Sequence, residues 1–352
     1  MNFYLHIPFC EKKCNYCAFT SLKKRDERAY FEALKKDICF HLAKFGIQKI
    51  ETLFIGGGTP SCVEAGLYEE IFKILSPYFK KNTEISCEAN PNSASFEWLL
   101  QMKNLGVNRI SFGIQSFDEK KLKFLGRIHN KKIALKALEN AYKAGFDNIN
   151  LDLIYDTKFD NKKMLEFELL NLEKIKPLIT HLSAYSLSIE PKTAFKKNEN
   201  FKKNSATLAK FFIKNLKDLG FFQYEISNFY KEKSKICKHN LAYWQGKNYL
   251  ACGLSGVGFY KNKRFYTKNN LKAYLQDPCF REVENLSFEN LNLEHLFLGL
   301  RSIVGINDKR LNDEQRQKIS LLVKEKKLKQ KHGWYFNENF LLSDELVLFI
   351  SS

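Results

Sequence analysis

Short runs of β-forming residues alternate with longer helical stretches through the first half of the chain, and this alternation limits the fold more than any other feature. The β-type runs lie at 3–7, 51–55, 84–88, 108–112, 149–154 and 179–185. Helical patterns fill the intervals near 29–45, 67–79, 95–105, 132–144 and 163–175. Parallel strands need long crossovers, and those crossovers are right-handed, so six βα units in series predict an α/β barrel or part-barrel. In such a fold the chemistry gathers at the C-terminal ends of the strands. The polar motifs of this chain fall at those ends.

The alternation fades after Pro191. Residues 192–275 hold a Lys/Asn-rich stretch, a helical segment at 205–219, a short run at 222–226 and a glycine-rich stretch from Gly246 to Gly258; they read as a connecting segment. Residues 276–352 read as a smaller, mainly helical, winged-helix-like C-terminal domain, leaving 1–191 as the part-barrel. A chain of 352 residues, 44% hydrophobic and 27% charged, can fill such cores and is excluded from the disordered, collagenous and fibrous classes.

The net charge of +18 raises the question of a nucleic-acid or anionic-membrane partner. Its make-up points elsewhere. The 48 Lys and 9 Arg are scattered in pairs such as Lys12-Lys13, Lys80-Lys81 and Lys202-Lys203, with few of the Arg forks that recognise phosphate by geometry. It reads as a solvated, compositionally biased surface, and no nucleic acid is expected as partner. The start, Met1 to His6, has no basic region followed by an apolar one, and no segment nears the ~18–20 apolar residues of a membrane span. A cytoplasmic, reducing location is expected, where a tight group of cysteines means metal binding or catalysis. Cys39, Cys62, Cys87, Cys252 and Cys279 stand apart and read as small buried hydrophobes.

Cys10-x3-Cys14-x2-Cys17 follows the first β-type run directly. Three thiolates at these spacings can wrap three corners of an iron–sulfur cubane, leaving one iron open to an exchangeable ligand. A structural zinc would need a closed tetrahedral set, and no second knuckle is present. His6 is placed on the strand to pack or hydrogen-bond. The second run ends in Gly56-Gly57-Gly58-Thr59-Pro60, where glycines permit close backbone approach. The third ends Glu88-Ala89-Asn90-Pro91, the fourth runs into Gln115, the fifth carries Asp152, and Leu125-Gly126-Arg127 lies beyond the fourth. One such polar residue is usually a cap; a set at four strand ends makes a site.

Together these motifs resemble the radical S-adenosylmethionine (SAM) superfamily, whose signature is CxxxCxxC after the first strand of a partial (β/α)6 barrel. The resemblance implies a [4Fe-4S] cluster on Cys10, Cys14 and Cys17, with SAM chelated by the open iron. In that superfamily an electron passed through the cluster splits the sulfonium C–S bond to a 5′-deoxyadenosyl radical, the protein supplying position and electrostatics. It also implies SAM contacts from Tyr4, Tyr16, Phe19, Gly56, Gly57, Gly58, Thr59, Glu88, Gln115 and Asp152, with Arg127 pairing the carboxylate. An electron donor such as flavodoxin or ferredoxin is implied, and no catalytic side chain is assigned.

Within the superfamily the chain resembles the group of oxygen-independent coproporphyrinogen III oxidases and haem chaperones of the HemW kind. The matching runs include Tyr4-x-His6-Ile7-Pro8-Phe9-Cys10, Glu88-x-Asn90-Pro91, Ser111-x-Gly113-x-Gln115-Ser116-Phe117 and Tyr224-Glu225-Ile226-Ser227-Asn228-Phe229, over residues 1 to about 305. Two departures set it apart from the oxidases: Phe19 stands where they resemble a fourth cysteine, and the chain starts on the first strand without their extension. The run His239-Asn240-x2-Tyr243-Trp244 resembles the HNxxYW motif of the chaperone branch. There an imidazole can ligate haem iron while Tyr243 and Trp244 offer flat apolar surface. The plainer alternative is that His239 and Trp244 pack this segment over the barrel mouth. The loop Ile154-Tyr155-Asp156-Thr157-Lys158-Phe159 lacks the Gly and Pro usual in the family, so the surroundings of Asp152 are expected to differ.

The resemblance implies a haem chaperone that binds the cluster, SAM and haem and passes haem to an acceptor haem protein, for instance a respiratory one. The alternative is a coproporphyrinogen III oxidase of porphyrin biosynthesis, which decarboxylates propionates to vinyl groups. A radical enzyme acting on RNA is a third reading, and the lack of an added basic, aromatic module argues against it. A homodimer and a transient membrane-surface contact are left open.

Overall fold

The computed structural model describes residues 1–23 and 26–352. Strands β1 (Asn2–Ile7), β2 (Ile50–Gly57), β3 (Phe79–Ala89), β4 (Arg109–Gln115), β5 (Ile149–Tyr155) and β6 (His181–Ser186) pair in sequence order, each parallel to the next. Both faces of these strands are largely covered, which is why runs such as Leu53-Phe54-Ile55 carry little polar alternation. Helices α1 (Glu27–Lys44), α2 (Glu69–Leu75), α3 (Phe96–Asn104), α4 (Glu119–Leu125), α5 (Lys131–Lys143) and α6 (Lys162–Ile175) lie in the crossovers. The side chains of Ser95, Asp118, Asn130 and Asn161 each accept a first-turn N–H, starting α3 to α6 in turn. The helix expected at 67–79 is shorter: Pro77 turns the chain after α2 and β3 begins at Phe79. Helix α4 has no counterpart among the expected elements.

The sheet stays open. Beyond β6 lie antiparallel β8 (Asn228–Tyr230) and β7 (Phe222–Gln223); beyond β1 lie parallel β9 (Tyr249–Cys252) and antiparallel β10 (Val257–Tyr260), β11 (Lys263–Tyr266) and β12 (Glu282–Asn285). Twelve strands thus form one sheet among the described residues, and the stretch after Pro191 builds both of its edges. Helices α7 (Ala206–Asp218), α8 (Lys238–Trp244) and α9 (Leu271–Gln276) pack around those edges. Asp37 of α1 pins the β9 side: its carboxylate accepts from the Gly253 N–H (2.9 Å) and the Tyr274 hydroxyl (3.0 Å) and pairs with His41 and Arg281. Burial pushes this carboxyl up, but the His41 hydrogen bond and the Arg281 charge prevail and hold it below its usual range.

The C-terminal part has its own core. Helices α10 (Phe288–Leu300), α11 (Asp313–Lys324) and α12 (Ser343–Ser351) enclose Leu296, Leu300, Ile306, Ile319, Leu322 and Ile350 with a small sheet of β13 (Ile306–Asn307), β15 (Trp334–Asn337) and β14 (Leu328–Lys331). No helix among the described residues is long and apolar enough to cross a membrane.

Candidate cofactor and ligand site

The three cysteines occupy the loop leaving β1. Cys10 sits in a short parallel pair, Phe9–Cys10 with Leu22–Lys23, and the Cys17 N–H donates to the Cys14 carbonyl (3.2 Å). Asn15 moors the loop to α4: its backbone N–H donates to the Leu125 carbonyl (3.0 Å) and its Nδ2 to the Phe124 carbonyl (2.8 Å). This close approach accounts for Gly126, which ends α4 at φ 79° and where a Cβ would lie 3.0 Å from the Asn15 nitrogen. Arg127 follows, donating to the Cys14 sulfur (3.3 Å), the Asn90 side-chain oxygen and the Gly113 carbonyl. Thr59 Oγ1 lies 3.4 Å from Cys10 Sγ and accepts from Asn90 Nδ2 (3.0 Å). The cysteine loop, the glycine turn and the ends of β3 and β4 therefore share one polar network.

The chemistry of this set fits the groups the motifs imply. Burial raises the thiols of Cys10 and Cys17, so thiolates form there readily only when a cation shares the site. Among the described residues, Asp37, His41 and Cys252 are the one trio of such side chains with ligand atoms all within 4.8 Å, and Arg281 and Tyr274 already satisfy that carboxylate. Three cysteines leave a tetrahedral zinc one protein ligand short, whereas a cubane with one open iron is held by three.

Beside the loop, Glu88 accepts the Gly57 N–H (3.1 Å), and burial together with the neighbouring Asp152 pushes its carboxyl up to about 8. Asp152 is raised by burial and accepts from Asn150 Nδ2 (2.7 Å). Two half-buried acids with no direct ion pair, Arg109 and Arg127 acting on them only at longer range, and a buried Arg127 Nε without a partner, suit a zwitterion that carries an extra positive charge, as SAM does. Gly57 has φ 113°, and a Cβ there would stand 2.6 Å from the His6 ring, so only glycine fits this turn. Gly56 and Gly58 flank it against Glu88 and the Pro8–Phe9 backbone. Tyr16 joins an apolar group with Leu125 and Ile154, and Gln115, at φ 72°, accepts from the Tyr185 hydroxyl (3.1 Å). Tyr4 is half-buried with its hydroxyl 3.2 Å from His6 Nδ1. Phe19 differs from these: it is 67% exposed and lines a neighbouring cavity.

Helix α8 carries the His239 motif. Its first turn is held by Glu84 of β3, which accepts from the N–H groups of Lys238 (2.8 Å) and His239 (3.0 Å) and lies 3.5 Å from the Cys237 sulfur. His239 is buried with both ring nitrogens engaged, Nδ1 at 2.7 Å from Thr52 Oγ1 and Nε2 at 2.8 Å from the Tyr243 hydroxyl. Burial, reinforced by the Arg109 charge, pushes its pKa down to about 3. In this conformation it packs the segment and offers no free nitrogen. Asn240 is half-buried, whereas Tyr243 and Trp244 line the cavity. Glu84, Thr52 and Asn90 are the residues that sequence reasoning left without a role. Only Asn90 carried a signal, its place in Glu88-x-Asn90-Pro91.

The cavity, of about 1010 Å³, opens between α8, the segment after Cys17, β10, β11 and α10. Its apolar walls include Phe19, Trp244, Phe259, Phe297 and Trp334. Four cations border it, Lys247, Lys261, Arg264 and Arg310, against one carboxylate, Glu294, which is paired with Arg264. An apolar interior with a cationic border is suited to a large flat anion.

Comparison with known proteins agrees with this geometry. The radical SAM superfamily profile matches residues 4–167. The chain is 32% identical to the heme chaperone HemW of Bacillus subtilis (strain 168), over 88% of this chain and 86% of that protein. For HemW of Buchnera aphidicola subsp. Acyrthosiphon pisum (strain APS) the figures are 33%, 96% and 93%, and for that of Haemophilus influenzae 36%, 81% and 78%. Coproporphyrinogen III oxidase (HemN) from Escherichia coli superposes with a TM-score of 0.81 over 100% of this chain and 90% of that one, at 20% identity, a likeness of fold. The chain belongs to the radical SAM superfamily and, within it, to the HemW family.

Proposed function

We propose that this protein is a haem chaperone: it carries a [4Fe-4S] cluster on Cys10, Cys14 and Cys17 with SAM beside it, and it seats haem in the cavity next to α8 for delivery to an acceptor haem protein. The observation that carries the reading is the pairing of that cavity, aromatic within and bordered by four cations, with the cysteine loop whose continuation forms part of its wall. Haem has an apolar plane and two anionic propionates; Trp244 and Trp334 suit the plane, and Lys247, Lys261 and Arg310 suit the propionates.

When bound, the cluster would supply the electron that reductively cleaves the SAM sulfonium bond. The chain's own part is to hold and orient. Asp152 and Glu88, the latter losing its proton when a cation arrives beside it, would offer negative charge to the ammonium and sulfonium, Arg127 would offer its unpartnered Nε to the carboxylate, and Tyr16 would close the adenine side. Arg127 also donates to Cys14, so the same side chain couples the SAM position to the cysteine loop.

The test is titration of the anaerobically reconstituted protein with haem. One equivalent is expected to give a saturable Soret band, with affinity falling as salt is raised through the Debye screening range. Absence of a Soret change at stoichiometric haem refutes the reading, and salt-independent affinity removes the cationic border from it.

A further inference from the structure

Residues 288–352 bridge the two sides of the open sheet. On one side the attachment is backbone, at the turn between β7 and β8: the Ile226 N–H donates to the Arg301 carbonyl (2.9 Å), the Ile303 N–H donates to the Tyr224 carbonyl (2.9 Å), and Glu225 and Ser302 form an antiparallel bridge. On the other side α10 reaches β11 through the ion pair of Glu294 with Arg264. Among the described residues this is the one side-chain hydrogen bond or ion pair between 288–352 and the rest of the chain. Both of its members line the large cavity, and α10 turns Leu291, Glu294, His295 and Leu298 toward it, the i, i+3, i+4, i+7 face of the helix.

Among the described residues Arg264 is the one cation at the cavity border that a carboxylate already holds. It sits beside the apolar wall: Arg264 pairs with Phe259 across β10 and β11, its guanidinium lies 6.0 Å from the centre of that ring, and the Tyr249 ring is 6.2 Å from Phe259. A flat ligand lying on Phe259 and Tyr249 has its carboxylate within reach of the guanidinium. We propose that the Arg264–Glu294 pair is a latch that the ligand's own carboxylate undoes: a haem propionate takes the guanidinium, Glu294 is released to solvent, and α10 loosens about its backbone joint at 224–226. The inference rests on the haem reading above and goes beyond it by naming how an occupied cavity differs from an empty one.

The exchange is favoured by what each carboxylate loses. The side chains of Arg264 and Glu294 are 25% and 35% exposed, so water competes with the pair and a released Glu294 is rehydrated. A propionate is held at the guanidinium by the haem plane, which gives it a high effective concentration there. Two carboxylates at one fork repel each other, so the arriving anion displaces the resident one. No covalent bond changes and no electron moves; one carboxylate replaces another on the same cation. When haem leaves, Glu294 returns to Arg264 and α10 is fastened again.

Haem is the probe, titrated into wild type, Glu294→Gln and Arg264→Gln, each first checked for a cooperative thermal transition, with hydrogen exchange of residues 288–300 followed in the same samples. Without ligand, both variants are expected to exchange these amides faster than wild type, since either lacks the latch. Haem is expected to speed the exchange in wild type and to leave it unchanged in Glu294→Gln, which is unlatched from the start. Glu294→Gln is expected to bind haem about threefold more tightly, the resident competitor being gone, and Arg264→Gln to bind it less tightly by a similar factor. If haem leaves the wild-type exchange unchanged or slows it, or speeds it equally in Glu294→Gln, the latch is wrong while haem binding stands. A wild type with no Soret band removes the haem reading; the ligand-free exchange still tests whether the pair fastens α10, and equal rates in all three proteins overturn it.

Discussion

Replacing Glu84 with alanine tests how the sheet positions the motif helix. The Glu84 carboxylate is buried and accepts two backbone N–H groups from the first turn of α8, a helix of only seven residues. A hydrogen bond to a charged group contributes ~1.5–3 kcal/mol, and leaving its buried partner unsatisfied costs about as much again only where water cannot enter. The Lys238 end is exposed and admits water; the His239 end does not. Taking one full loss and one partial loss gives about 3–5 kcal/mol, a large fraction of the 5–15 kcal/mol typical of a folded domain. Arg109, fully buried nearby, loses a favourable charge as well. Glu84→Gln keeps one acceptor oxygen and turns an N–H toward the other donor, so it should fall about midway. Urea unfolding followed by circular dichroism gives the global value, and hydrogen exchange of residues 238–244 shows whether α8 opens locally instead. A Glu84→Ala protein within 0.5 kcal/mol of wild type with unchanged protection of α8 would refute the reasoning.

Two further outcomes follow from the same contacts. Gly126→Ala places a β-carbon at positive φ and 3.0 Å from Asn15, so it should cost ~1–3 kcal/mol and lower the iron and sulfide retained on reconstitution, whereas Asn15→Ala should lower retention with a smaller stability loss. Equal iron content in both variants and wild type would show that the Asn15 mooring does not matter to the cysteine loop. Glu88 ionises near its ordinary 4.5 when unfolded and only at about 8 when folded, so the folded chain holds the extra proton between those values. Stability of the ligand-free protein should therefore fall as pH rises from 6.5 to 8, by no more than ~1.4 kcal/mol per unit from this group, and Glu88→Gln should flatten the slope. An identical slope in the variant would show that Glu88 is not the group responsible.

The parts of the fold read correctly from sequence are those where local pattern and burial agree. Leu53, Ile110 and Leu151 lie in runs buried on both faces, and all six parallel strands overlap their expected runs, the third starting early at Phe79. Helix α4 was hidden because Lys121, fully buried against Asp160 (2.7 Å), breaks the apolar face that would announce it. Strands β9 to β12 are four residues each and gain their stability from pairing with β1 and one another, a long-range effect that no local window contains. The same holds for the site. Cys10, Cys14, Cys17 and Gly57 announce themselves by spacing and type. Glu84 holding α8 and Thr52 meeting the His239 ring join positions more than 150 residues apart in sequence, and ordinary strand residues give no sign of such partners.

Delivery of haem and its synthesis are separated most directly by one mixed assay. The cluster-reconstituted protein, loaded with one equivalent of haem, is mixed with an apo haem protein, and a parallel portion receives SAM, reductant and coproporphyrinogen III. Transfer of haem to the acceptor without formation of protoporphyrinogen is the predicted result. Protoporphyrinogen formation with no haem passed to the acceptor would contradict it.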